Sequence, residues 1–122
     1  MQDGFIRVAA ASPYIKVADC AYNAQQVIET ARETAKIGTK LLVLPEQCLT
    51  GYTCGDLFLQ SQLLKDAQDA LQAVCANTRD LDMLLVVGLP LRHHGKLYNC
   101  AAVVLRGQVL GLVPKSYPPN YS

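Results

Sequence analysis

The sequence has almost no excess of either charge: eleven basic residues stand against ten acidic ones along 122 positions, and no basic stripe forms. Proteins that grip nucleic acid or anionic membranes concentrate Lys and Arg, so neither partner is expected. Long apolar runs are also missing. The opening stretch MQDGFIRVAAASPY carries Asp3 and Arg7 where a signal peptide or anchor would have to start, and no later run approaches membrane-spanning length. Cysteines are few and badly placed for pairing: Cys20, Cys48, Cys54, Cys75 and Cys100 are odd in number, without a C-x-x-C, and the two histidines are the adjacent His93 and His94. That excludes a disulfide framework and a zinc site and points to reduced thiols in a cytoplasmic protein. The glycines Gly4, Gly38, Gly55 and Gly88 make no G-x-G-x-x-G, so no dinucleotide fingerprint is present.

What is present is a globular composition, 51% hydrophobic and 17% charged, with room for one domain and one modest core. FIRVAAA (5–11) leans toward a strand covered on both faces, ended by Ser12-Pro13. Ala24, Val27, Ile28, Ala31 and Ala35 fall on one side of a helical wheel with Glu29, Arg32, Glu33 and Lys36 opposite; Asp19 is placed to cap that helix and Gly38 to close it. KLLVL (40–44) follows as a second buried strand, which implies a right-handed crossover and a parallel pair.

After a Gly-punctuated loop, Ser61 is placed to cap a second helix with the face Leu63, Ala67, Ala70, Leu71 and Val74. MLLVVGLPL (83–91) is a third buried strand. LYNCAAVVL (97–105) and QVLGLVP (108–114) flank Arg106-Gly107 as a hairpin. The fold class is therefore α/β, with a mixed β-sheet and flanking helices.

Within LLVLPEQCLTGYTCGD (41–56), a strand delivers Glu46 from its C-terminal end directly behind Pro45. Open α/β sheets place their ligand crevices at the carboxyl ends of strands, and the fixed φ of proline restricts the direction in which the chain leaves. A carboxylate at the edge of an apolar sheet loses hydration, which favours its protonated form and suits a general base. From position alone an ordinary surface or capping glutamate fits equally well. Lys115 ends the last strand behind Pro114, as Glu46 ends the second, and the two side chains could share a crevice if those strands are neighbours. A fixed ammonium there would stabilise an oxyanion, although lysine ordinarily sits in water.

LLVLPEQCLTGY together with GLVPKSYPPNYS resembles the nitrilase, or carbon–nitrogen hydrolase, superfamily. TGYTCGDLF and PKSYPPNY look most like the glutaminase domain of the glutamine-dependent NAD+ synthetases. The resemblance implies a partial α-β-β-α sandwich, with Glu46 as general base and Lys115 as transition-state stabiliser. Tyr52 and Tyr121 match tyrosines that line a glutamine pocket, though a packing role fits each as well.

The family's nucleophilic cysteine lies downstream of the lysine. The chain is therefore expected to be an N-terminal portion, truncated before the nucleophile and inactive alone. The implied substrate is glutamine and the implied assembly a homo-oligomer. ATP, Mg and deamido-NAD+ belong to an absent synthetase domain, with no cofactor on this chain. Cys48, two residues from Glu46 on an extended segment, reads as a structural thiol.

Two other readings compete. One is a different carbon–nitrogen hydrolase, such as an amidase or carbamoyl hydrolase. The other is a non-catalytic α/β interaction module in which Glu46 and Lys115 form a structural ion pair.

Overall fold

The computed structural model describes residues 4–51 and 61–116, with side chains described as far as Pro114. Among the described residues five strands form one sheet in chain order: β1 (Arg7–Ala10), β2 (Thr39–Val43), β3 (Leu84–His93), β4 (Lys96–Leu105) and β5 (Gln108–Ser116). The helices α1 (Cys20–Lys36) and α2 (Ser61–Ala76) provide the crossovers from β1 to β2 and from β2 to β3. Pairing is parallel for β1–β2 and β2–β3 and antiparallel for β3–β4 and β4–β5.

Local chemistry sets the ends of α1. The Asp19 carboxylate accepts the Tyr22 N–H at 3.2 Å, satisfying one of the amides that a helix start leaves unpaired. At the other end Gly38, with φ +82°, adopts the left-handed conformation that stops the helix, and its N–H donates to the Ala35 carbonyl. The two antiparallel hairpins turn through His94-Gly95 and Arg106-Gly107, all four residues at positive φ, as two-residue turns that follow strand twist require.

Both helices bury their apolar sides, including Val27, Ala31, Ala67 and Val74, against alternate strand residues such as Leu42, Leu85, Val87, Ala102 and Val104, all fully buried. The intervening residues face away from the helices. Among them Val8 is 59%, Val43 41% and Val113 53% exposed, while Val86, Ala101 and Val103 are only partly buried. The expectations that β1 is covered on both faces and that β2 is a buried strand are therefore corrected, whereas β3 is buried along its centre. Every described residue of β1 has some exposure, and β2 buries only Thr39 and Leu42, because both helices lie on one face and β1 is an edge. Among the described residues no helix is long and apolar enough to cross a membrane.

Exposed ion pairs tie the layers. Arg32 of α1 clasps both Asp80 oxygens at 3.0 and 2.8 Å, and Asp82 receives Arg106 at 2.9 Å and Lys40 at 3.3 Å. Hydrogen bonds from Arg32 and Arg106, respectively, are the main reason these carboxyls titrate below the ordinary value of 3.8. A depressed folded-state pKa gives stability that is present above the unfolded value and lost as pH falls through the folded one. Asp80→Asn together with Asp82→Asn should thus lower the melting temperature slightly at pH 7, with the difference closing below pH 3.8. A gap that persists under acid would show that the substitutions act through packing instead.

Candidate active site

The β2 ladder ends with the Leu44 N–H donating to the Val86 carbonyl at 3.0 Å. The next carbonyl on that side of β3, Gly88, accepts from the Leu49 N–H at 3.2 Å, so residues 45–48 are extruded as a turn. Glu46 sits in that turn, half-buried. Gln47 behind it holds φ at +53°, a left-handed conformation costing a non-glycine residue about 1–2 kcal/mol. The Gln47 carbonyl accepts from the Thr50 N–H at 3.1 Å and the Gly51 N–H at 2.8 Å, which closes the turn.

Gly88 is what lets this turn lie on the sheet. A methyl group there would overlap the Gln47 nitrogen and stand 2.8 Å from the Pro45 oxygen and 3.0 Å from the Glu46 carbonyl carbon. All three are backbone atoms, so the turn itself would have to move. Gly88→Ala is expected to destabilise the fold by about 1–3 kcal/mol and to shift the backbone amide resonances of residues 46–48. Unchanged resonances with unchanged stability would mean that the turn is not seated on Gly88.

Asn23 clamps the same segment from behind. It is fully buried in α1; its Oδ1 accepts the Lys16 N–H at 2.7 Å, and its Nδ2 donates to the carbonyls of Lys16 at 2.8 Å and Leu49 at 3.0 Å. Three backbone groups depend on one side chain. Asn23→Leu should cost about 2–4 kcal/mol in a denaturant titration, because those groups lose partners that no aliphatic side chain replaces. A loss within 0.5 kcal/mol, about the scatter of neutral surface changes, would contradict this.

β5 is antiparallel to β4 and hence parallel to β3 and β2, so the carboxyl ends of β2, β3 and β5 emerge on one rim. β2 and β5 are not neighbours, however, which corrects the sequence-based condition: the meander from β3 to β5 inserts β3 and β4 between them. Because the Glu46 turn folds over β3, the gap to β5 shrinks to two strand spacings, about 10 Å.

Lys115 lies in β5 between Pro114, paired with Cys100, and Ser116, paired with Asn99; it is the extra residue of a β-bulge. Its side chain falls outside the described residues, as do Tyr52 and Tyr121 altogether. Bulges of this kind concentrate beside active sites, where they redirect a strand.

The described cysteines are all buried. Cys48 is fully enclosed, its Sγ 3.7 Å from the Gly88 carbonyl, and burial pushes its thiol up to about 11. A thiol that holds its proton so far above neutrality is not a nucleophile. Among the described residues no group of three or more His, Cys, Asp or Glu side chains could hold a metal ion; His93, the last residue of β3, and His94 in the turn after it are exposed and in edge contact with each other.

A half-buried carboxylate thus lies on the carboxyl rim of a mixed sheet, its turn folded over β3, and a bulged lysine lies two strands beyond β3. Residues 7–119 fit the carbon-nitrogen hydrolase family. The chain belongs to that family. Relatives of this chain include the glutamine-dependent NAD(+) synthetase of Mycobacterium tuberculosis, 47% identical over 98% of the chain but only 18% of the relative.

Among solved structures, a glutamine-dependent NAD(+) synthetase from Cytophaga hutchinsonii superposes with a TM-score of 0.86 at 31% identity, covering 94% of this chain and 20% of that one. An amidase from Nesterenkonia sp. shares the fold alone, with a TM-score of 0.81 at 20% identity over 99% of this chain and 47% of that one. The chain thus spans about a fifth of the length of the synthetases it matches.

Sequence reasoning missed Gly88, Asn23 and Asn99. Asn99, given no role from the sequence, is 7% exposed with no partner for its Oδ1, a situation costing about 1–3 kcal/mol. The only signal available in the sequence was a polar residue inside LYNCAAVVL, an otherwise apolar strand.

Proposed function

We propose that this chain is the N-terminal portion of a glutaminase domain, in a longer protein that hydrolyses glutamine and delivers the ammonia to NAD+ synthesis. The reading is supported above all by one observation: the Glu46 turn is seated across β3, on the rim from which Lys115 also emerges. Further support comes from 47% identity to a synthetase that bears glutamine in its name. Glu46 takes the proton of a cysteine thiol supplied from beyond Ser122, and the thiolate attacks the side-chain amide carbon of glutamine. Lys115 stabilises the resulting oxyanion.

Protonated Glu46 returns its proton to the departing nitrogen, so ammonia leaves and a thioester remains. Water, activated by the same carboxylate, then releases glutamate and regenerates the thiol. Tyr52 and Tyr121 line the glutamine pocket. ATP, Mg and deamido-NAD+ act on the separate synthetase domain, and the helix-free sheet face receives the second layer of the α-β-β-α sandwich.

The test supplies the full-length protein with ATP, deamido-NAD+ and glutamine labelled with 15N at the side-chain amide. The label is expected in the carboxamide of NAD+. Its absence there, with glutamine left intact, would refute the reading.

A further inference from the structure

Asn99 occupies the strand that separates the two proposed catalytic groups. Its register partners are Pro90 on β3 and Ser116 on β5, so it lies one residue from the Lys115 bulge. Cys100 and Ala102 face the helices; Asn99 therefore shares the opposite face with Ala101, whose partner across the ladder is Gly88, the residue beneath the Glu46 turn. At this midpoint stands a carboxamide oxygen more than nine-tenths buried and without a donor.

We propose that Asn99 is a positioning residue whose Oδ1 accepts a hydrogen bond from the Lys115 ammonium and aims it at the amide carbonyl. The inference rests on the glutaminase reading above and deepens it. An ammonium has three donors on a flexible stem; to stabilise an oxyanion without reorganising it must be held by fixed acceptors. A neutral acceptor suits this purpose better than a second carboxylate, because it fixes direction while leaving the positive charge to the oxyanion. The bulge brings the lysine backbone beside that acceptor, and the buried oxygen, unpaired among the described groups, is the complement such an ammonium requires.

The experiment measures glutamine hydrolysis by the full-length protein across pH for Asn99→Leu and Asn99→Asp, with melting temperatures recorded alongside. Asn99→Leu, close in volume but without an acceptor, should lower kcat roughly 10–100-fold, the usual scale for losing an orienting partner, with KM for glutamine little changed. Asn99→Asp keeps the acceptor and adds a negative charge beside the ammonium, so the alkaline limb of the rate profile should move up by about one pH unit.

Both variants lowering the melting temperature while kcat and the profile stay as in the parent would overturn the proposal and leave a packing role. Glu46→Gln serves as the separate control. If it too leaves hydrolysis intact, the glutaminase reading fails; if it abolishes hydrolysis while the Asn99 variants do not alter it, only the assignment of Asn99 fails.

Discussion

Glu46→Gln in the full-length protein should lower the rate of glutamine hydrolysis about 10²–10⁴-fold while leaving thermal stability nearly unchanged. Gln keeps the length and planarity of the side chain, so the turn over Gly88, which is held by backbone contacts, has no reason to move. What disappears is the ability to take a proton from the thiol and return it to the leaving nitrogen, and the loss of a positioned acid–base group has an effect of that size. The structural ion-pair reading predicts the reverse: lost stability with unchanged hydrolysis. Burst-phase measurement of the thioester in the same variant locates the defect, since its formation needs the base.

The second large effect concerns the 122-residue chain by itself. It should associate with concentration in sedimentation experiments and release no ammonia from glutamine. Five strands spaced at about 4.8 Å present a helix-free face about 20 Å across, with Val8, Val43 and Val113 substantially exposed. Apolar side chains exposed together on one face of a sheet favour association. Val43→Lys combined with Val113→Lys should restore monomeric behaviour, because neither residue contributes to the helix-packed core. Monodisperse, monomeric behaviour of the unaltered chain at high concentration would show that the face needs no cover. The absence of hydrolysis follows from the proposed position of the nucleophile downstream of Lys115; Cys48, beside Glu46, is fully enclosed, and burial pushes its thiol up to about 11.

Much of the fold was legible because its signals are local. The wheel of Ala24, Val27, Ile28 and Ala31, the Asp19 cap and the Gly38 stop fixed α1 to within a residue, and Arg106-Gly107 marked a hairpin through its need for positive φ. The apolar run of β1 was misread as two-sided burial. A strand written for a sandwich carries apolar residues on both faces whether or not the second layer is present.

The candidate site was legible in its residue types but not in its spacing. Nothing local in Glu46 or Lys115 tells that β3 and β4 intervene, since strand order depends on long-range pairing. Gly88 looked like any glycine in a strand until the Glu46 turn was seen resting on it. Asn99 was hidden because a single polar residue within a hydrophobic strand acquires meaning only from what surrounds it in three dimensions.

The most direct test of the account is a crystal structure of the full-length protein with a bound glutamine analogue, reading one separation: from the Glu46 carboxylate to the Lys115 ammonium. The account predicts both groups in a single pocket, within about 6 Å of each other, with the amide carbonyl between them. An ammonium directed away from the Glu46 turn, with the analogue bound elsewhere, would contradict it.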